Sequence, residues 1–270
     1  MPVCRIIFRL DYDINFSIIN KPGEILKTIW EEKSLPSQNN IGKKQDRFFK
    51  DISEKVTEKS IEGKTVNQDK ENSSAYEIHI RPQSIDANYE SYNGFRLQSI
   101  IEDPVFQKLE KITNSVRKEF AINKINRSGF RVFFYDKLYG DSNITTDVIK
   151  DFFCDKFKKL IDHDNLGNVN DAGIVIEGRS GDSFHYIVRF GPYQEGESQA
   201  KKYFSLLKNG KDELSGYDII MDIDFYQKNF NLFNTVKLSK WCTQAIEKAD
   251  FVIEEIKNIF FEMKPSKDRG

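Results

Sequence analysis

Strand-like alternation of apolar and polar residues opens the chain and recurs along it. Residues 3–12, VCRIIFRLDY, combine β-branched and aromatic residues with interspersed charges, which predicts a strand. Looser or similar alternation predicts further strands at 46–59, 75–91, 128–138 and 216–226, and a hairpin of 172–178 with 183–191. The polar stretch 61–74 has almost no apolar content and predicts a loop.

Apolar residues spaced by three and four predict helices between these strands. The clearest early helix is 103–120, where Asp103 is a candidate cap and Pro104 takes the first helical position. The longest runs from 234 to 263 with a stripe that includes Trp241, Ala245 and Ala249. The remaining predicted helices are 21–32, 145–161 and 197–210.

The order of these elements predicts the fold class. Strand, helix, two strands, helix and strand follow one another in the first half, which is the pattern of a ferredoxin-like unit, and the second half repeats it. We therefore predict an α+β protein of two tandem ferredoxin-like halves with a long C-terminal helix. The predicted division is an N-terminal half at 1–140 and a C-terminal half at 141–270.

Composition narrows the class of partners and the compartment. The 270 residues are 39% hydrophobic and 31% charged, and the net charge is -1, so no overall field attracts nucleic acid or an anionic membrane. The three cysteines form no CxxC pair, which argues against a disulfide framework or a cysteine-rich zinc site. No stretch is long and apolar enough for a membrane span. These features favour a cytoplasmic protein with no membrane contact.

The stretch 218–226, DIIMDIDFY, carries acids inside an apolar run. Alternation places Ile219, Met221 and Ile223 on one face, and Asp222 and Asp224 together on the other, roughly 7 Å apart. Paired acids of this kind hold Mg²⁺ in nucleotidyltransferases, which makes Asp222 and Asp224 candidate metal ligands. The alternative is the polar outer face of an edge or half-solvated strand. We favour it because no phosphate-binding turn lies nearby, so no metal, cofactor or catalytic residue is expected.

Aromatic residues suggest two binding surfaces. On strand 128–138, Arg131, Phe133 and Tyr135 share a face and are candidates for stacking RNA bases, although the glycines of the RNP signature are absent. On the terminal helix, Phe251, Phe260 and Phe261 widen the apolar arc and are candidates for binding a partner. The alternative for the helix is packing on its own sheet.

Two short motifs carry a family resemblance. The first is INKINRSGFRVFF, which contains Ile125, Asn126 and Arg127; the second is the hydrophobic-Asp-hydrophobic-Asp strand at 221–224, followed by a long helix with Phe260. With these motifs the chain resembles a sporadically distributed family of uncharacterised bacterial proteins of about this length. The resemblance gives no residue a catalytic role. It implies an accessory gene of the kind found in mobile islands and antiviral defence systems.

Three functions follow as hypotheses. The leading one is a non-catalytic binding or assembly component, in a bacterial antiviral defence system, with a protein partner or a second copy of itself. The second is a metal-dependent phosphoryl- or nucleotidyl-transfer enzyme that uses Asp222 and Asp224. The third is an RNA-binding protein with tandem ferredoxin-like sheets.

Overall fold

The computed structural model describes residues 3–25, 27, 53–56, 61–68, 73–91, 97, 104–152, 172–181, 183–193, 216–231 and 238–262. Its strands are β1 (Val3–Tyr12), β2 (Ser53–Val56), β3 (Ile61–Gln68), β4 (Ser73–Arg81), β5 (Ser84–Ser91), β6 (Lys124–Asp136), β7 (Ile174–Arg179), β8 (His185–Pro192) and β9 (Ile219–Asn231). Its helices are α1 (Ser17–Asn20), α2 (Pro104–Glu119), α3 (Ser142–Phe152) and α4 (Leu238–Glu262).

All nine strands in the described part of the chain belong to one antiparallel sheet. The strand order is β2-β3-β4-β5-β1-β6-β9-β8-β7, and β1 and β6 pair along most of their length near the middle. The long pairing of β6 with β9 joins the strands of the two halves of the sequence without a break. The helices and strands therefore make an α+β protein built on a single wide sheet.

The predicted pair of ferredoxin-like halves is wrong. In such a unit the first strand lies between the third and the fourth, so a second unit beginning at β6 would place β6 between β8 and β9. Here β9 lies between β6 and β8, because β7, β8 and β9 form a simple antiparallel meander that joins β6 through β9. Whether residues 1–140 and 141–270 act as separate domains stays a prediction.

One face of the sheet carries the hydrophobic core. Ile6, Phe8 and Leu10 of β1 and Phe130 and Val132 of β6 are all buried on this face, in one cluster with residues of the helices. Helix α4 packs over β6 and β9, with Trp241 in edge contact with Phe8 at 5.3 Å between ring centroids. Because a strand alternates its side chains, the opposite face holds the other half of every strand.

The structure confirms some of the predicted bounds of strands and helices and corrects others. Strand β1 has the predicted bounds, α2 begins at Pro104, and the predicted hairpin is present as β7 and β8. The predicted loop 61–74 is wrong, since β3 spans most of it and pairs with β4. The predicted strand 75–91 is two strands, β4 and β5, that turn at Pro82 and Gln83. The predicted helix 197–210 lies outside the described residues.

Candidate functional site

The face of the sheet opposite the core is crossed by charged side chains. Cross-strand partners in antiparallel sheets lie about 5 Å apart on the same face, so the register of the strands decides which charges meet. Arg131 of β6 is in register with Asp224 of β9, and Arg9 of β1 is in register with Asp86 of β5. We call this surface the polar face.

Asp222 makes the tightest ion pair on the polar face. Both oxygens of its carboxylate accept hydrogen bonds from Arg131, from Nε and Nη2 at 2.7 Å each. A third donor is Nη1 of Arg189 on β8, at 3.2 Å. Two-point binding by a guanidinium fixes the geometry of a carboxylate more firmly than a single contact. Asp222 therefore links three strands, β6, β9 and β8.

A longer series of ion pairs crosses five strands, from β9 through β6, β1 and β5 to β4. Asp224 of β9 accepts a hydrogen bond from Nη2 of Arg127 on β6 at 3.0 Å, and Nη1 of Arg127 lies 3.9 Å from Asp11 of β1. Arg9 donates from Nε to Asp11 at 2.7 Å and lies 3.4 Å from Asp86 of β5. Asp86 in turn pairs with Arg81 of β4. Charges of alternating sign thus follow each other from β9 to β4.

In these pairs the arginine is more exposed than its carboxylate. The side chain of Arg9 is 43% exposed and that of Asp86 only 9%; the values are 36% for Arg131 and 12% for Asp222. The carboxylates therefore lie against the sheet and the guanidinium groups lie above them. A molecule that approaches the polar face meets guanidinium groups first.

Asp224 has an altered acidity. Burial raises the pKa of its carboxyl above the ordinary value, and this effect outweighs the guanidinium groups of Arg127 and Arg131, which lower it. The Asp224 carboxylate is thus less well solvated than its ion pair alone would suggest.

The predicted alternation of 218–226 is confirmed. The strand, β9, lies inside the sheet rather than at an edge, and its polar side is largely buried rather than half-solvated. Ile219, Met221 and Ile223 are buried in the core, and Asp222 and Asp224 share the polar face with 9% of each residue exposed. Among the described residues no group of three or more His, Cys, Asp or Glu side chains could hold a metal ion. A cation at Asp222 would have to displace Arg131 and Arg189.

The three residues predicted as candidates for RNA stacking also belong to the polar face, but they differ in exposure. Arg131 lies at the surface above Asp222, with its guanidinium 4.6 Å from the centre of the Phe133 ring. The Phe133 ring and Tyr135 are buried, with 1% and 0% of the residue exposed. Tyr135 packs edge-on against Tyr193 at 5.1 Å. In this conformation neither ring offers a face to a base, so RNA stacking at these residues stays a prediction.

A concave region, the polar groove, lies in the centre of the polar face and has a volume of about 660 Å³. Gly129 of β6 lies on its floor, where an added Cβ would come 3.2 Å from Nη1 of Arg127. The missing side chain gives the Arg127 guanidinium room above β6. The charged lining residues that the structure describes are Arg5, Arg9, Asp11, Glu77, His79, Arg81, Asp86, Arg127, Arg131 and Asp224.

A second concave region, the apolar groove, lies on the core side of the sheet beside α4 and has a volume of about 600 Å³. Tyr186 and Val188 of β8 form its floor, and Phe251 and Ile256 of α4 form one wall. Strand β7, which is the last strand of the sheet in the described part of the chain, contributes Ile176. The floor is therefore core-facing sheet surface that α4 does not cover.

The three predicted partner-binding phenylalanines have different surroundings. Phe251 is 65% exposed and lines the apolar groove. Phe261 is 74% exposed but is not part of the groove lining. Phe260 is fully buried, and its ring lies 6.1 Å from that of Phe190. The alternative for this helix, packing on its own sheet, thus accounts for Phe260 but not for Phe251 and Phe261.

Two sets of residues on the polar face were not predicted from the sequence: the arginines of β1 and the carboxylates of β5. Arg5 and Arg9 alternate with the buried Ile6 and Phe8, so the sequence does place them on the face away from the core. It gives no strand order, however, and two of the acids that pair with them, Glu90 with Arg5 and Asp86 with Arg9, come from β5. Alternation in β1 predicts that Arg5 and Arg9 share a face of the sheet, but it does not predict that this face forms a groove.

Comparisons with known proteins add no assignment. No protein-family model matches the chain, and no curated protein matches it. None of the helices in the described part of the chain combines the length and apolar character needed to cross a membrane.

Proposed function

We propose that this protein is a non-catalytic assembly component that binds a helix of a protein partner in the apolar groove. The observation that carries the proposal is the exposure of large apolar side chains around one concave surface. Phe251, Ile176 and Ile259 are 65%, 47% and 38% exposed there. Contiguous apolar surface of this kind is uncommon on isolated soluble proteins and marks sites of association.

The dimensions of the apolar groove suit an α-helix. Its wall on α4 extends from Glu247 to Ile259, a rise of about 18 Å, or somewhat more than three helical turns. Strands β9 and β7 are two strand spacings apart, about 10 Å, which is the usual distance between the axes of packed helices. A helix beside α4 would cover β7 and β8 and complete the layer on this face.

Charges at the rim select the partner helix. Glu247 and Glu255 are exposed on the α4 side of the groove. Lys248 is half-buried, with its ammonium group 5.5 Å from the centre of the Phe184 ring, so it contributes less to the outer rim. The complementary partner is an amphipathic helix with an apolar stripe flanked by lysine or arginine.

The family resemblance supplies the setting of this proposal. Accessory genes of mobile islands include those of antiviral defence systems, and the cysteine content favours the cytoplasm. We therefore place the assembly in a bacterial defence complex of the cytoplasm. Deletion of the gene in the native host should lower survival after phage challenge, and unchanged survival across a phage panel would contradict this setting.

Two aspartate variants of α4 test the groove. A photo-crosslinking amino acid is introduced in place of Ile176 in the otherwise wild-type protein and in the Phe251→Asp and Phe261→Asp variants. The three proteins are expressed in the native host, and their crosslinks are compared. We expect Phe251→Asp to abolish the crosslink because it places a charge in the groove. Phe261→Asp is the matched control, since it changes a similarly exposed phenylalanine outside the groove and should leave the crosslink intact.

The position of the crosslink on the partner gives the second criterion. Mass spectrometry should locate it in a segment with apolar residues at helical spacing and basic flanks. A crosslink to a second copy of this chain would show a homo-oligomer interface and overturn the proposed partner. Equal loss in both variants, or no loss in either, would overturn the groove as the binding site.

A further inference from the structure

We infer that the polar groove is a binding site for a small oxyanionic ligand of about mononucleotide size, bearing phosphate or carboxylate groups. This site is separate from the apolar groove, because the two lie on opposite faces of the sheet. A volume of about 660 Å³ falls within the range of small-molecule sites.

The layering of charges in the lining favours an anion. Among the lining residues that the structure describes, five arginines face four carboxylates, with His79 in addition. Two further carboxylates, of Asp222 and Glu90, pair with Arg131 and Arg5, so acids balance the five arginines. The guanidinium groups lie above the carboxylates, however, so the outer layer of the groove is the positive one.

Arg9 is the central donor of the proposed site. Its closest approaches to Asp11 and Asp86 are made through Nε. Its two terminal amino groups make no hydrogen bond to the part of the chain that the structure describes, and its side chain is 43% exposed. A guanidinium can bind a protein carboxylate with one edge and a ligand oxyanion with another. Arg9 is thus held in place by acids while its outer edge faces the groove.

Arg127 is the second donor of the proposed site, and its guanidinium lies above Gly129. Its guanidinium bonds to Asp224 at 3.0 Å and stacks 4.7 Å from the centre of the Tyr226 ring. The register places Gly129 beside Arg9, and the Arg127 guanidinium lies above Gly129, so the two guanidinium groups are neighbours that both contact Asp11. An oxyanion above them would receive donors from both.

A buried hydroxyl gives an independent indication of a ligand. Ser84 of β5 lines the polar groove and is 1% exposed, and its Oγ makes no hydrogen bond within the described part of the chain. Ser84 is in register with Arg81 on one side and Asp11 on the other. Buried hydroxyl groups almost always have a partner, because leaving one unsatisfied is unfavourable. A ligand oxygen would supply that partner.

Calorimetric titration of the full chain with inorganic phosphate, AMP and citrate tests the inference. We expect at least one probe to bind with a Kd below about 1 mM and more weakly at higher salt. Preference for AMP and phosphate would identify the oxyanion as phosphate, and preference for citrate would identify it as carboxylate. Either result supports an oxyanion site.

Two variants and a matched control locate the binding. Arg9→Gln should weaken binding at least tenfold, and Ser84→Ala should weaken it several-fold without loss of thermal stability, since Ser84 Oγ has no partner to lose. Arg189→Gln is the control, because Arg189 is as exposed as Arg9 and lies on the same face but outside the groove lining.

Three outcomes would overturn the site. The first is no binding of any probe by the wild type. The second is equal weakening by Arg9→Gln and Arg189→Gln, which would show unspecific attraction to the face. The third is binding of a single-stranded RNA oligonucleotide far more tightly than AMP, which would make the polar face a nucleic-acid surface.

Discussion

Asp218 shows how a single residue can fix two elements of this fold. It lies just before β9, is fully buried, and accepts hydrogen bonds from the backbone N–H groups of Leu138 and Tyr139 at 2.7 Å and of Gly140 at 3.0 Å. The hydroxyl of Thr145 on α3 donates a fourth bond at 3.0 Å. One carboxylate thus holds the turn after β6 and the start of α3 against β9.

Replacement of this carboxylate should be costly. Asp218→Asn retains the size of the side chain but leaves one acceptor oxygen for four donors, so an amide N–H must face a backbone N–H. We expect a loss of about 2–4 kcal/mol in the free energy of unfolding, measured by urea denaturation. Asp147→Asn, which removes an exposed carboxylate of α3 that pairs with Lys150, should change it by less than about 0.5 kcal/mol. Similar losses in both variants would contradict this role of Asp218.

Asp224 gives a prediction about pH. Because burial raises its pKa in the folded protein above the unfolded value near 3.8, the folded state holds this proton more tightly. The stability that the protonated group contributes is present below the unfolded pKa and is lost as pH rises through the folded pKa. We therefore expect Asp224→Asn to gain stability relative to the wild type as pH rises from about 4 to about 7.

The measurement is a series of urea unfolding curves for both proteins across that range. The difference in free energy of unfolding should move towards the variant with rising pH. A difference that moves towards the wild type instead would mean that the pair with Arg127 outweighs burial, and the raised pKa would be wrong.

At the scale of elements, the β7–β8 hairpin depends on one glycine. The ring and hydroxyl of Tyr186 on β8 cross β7 at Gly178, where an added Cβ would overlap with them. Gly178→Ala should displace Tyr186 from the floor of the apolar groove and destabilise the protein by about 1–3 kcal/mol. Thermal unfolding measures the effect. Gly181→Ala is the matched control, because a Cβ there meets nothing within 4 Å.

A double variant separates overlap from loss of backbone freedom. If Tyr186 is the cause, Gly178→Ala should cost much less in a Tyr186→Ala background than in the wild type, since the overlapping ring is gone. Equal costs in both backgrounds would contradict the overlap and leave the backbone as the cause.

The elements also differ in how far the sequence predicts them. Strand β1 and the start of α2 at Pro104 follow directly from alternation and from a proline in the first helical position, which are local signals. Strand β3 has the composition of a loop, and its pairing with β4 is a backbone interaction that hydrophobic spacing does not encode. The ion pairs of the polar face were missed for a related reason, since Arg9 and Asp86 are 77 positions apart and meet only through strand order.

The whole molecule is organised by the continuity of its sheet. The predicted fold relied on a repeated order of elements. Several of these elements are present, but their order could not show which strands would become neighbours. Pairing of β6 with β9 decides the architecture, and it joins residues roughly 90 positions apart. Long-range pairing of this kind depends on the whole set of competing strands and is not present in any short stretch of sequence.

This continuity predicts that residues 1–140 do not fold alone. In isolation β6 would lose β9 and expose a long unpaired edge, and the core face of β1 would lose α4, whose Trp241 contacts Phe8. The carboxylates that pair with Arg127 and Arg131, Asp224 and Asp222, would be missing as well. We expect the fragment to show no cooperative thermal transition by circular dichroism, whereas the full chain should show one. A cooperative transition in the isolated fragment, with slow amide hydrogen exchange in β6, would mean that this half carries its own core and that the wide sheet joins two independent domains.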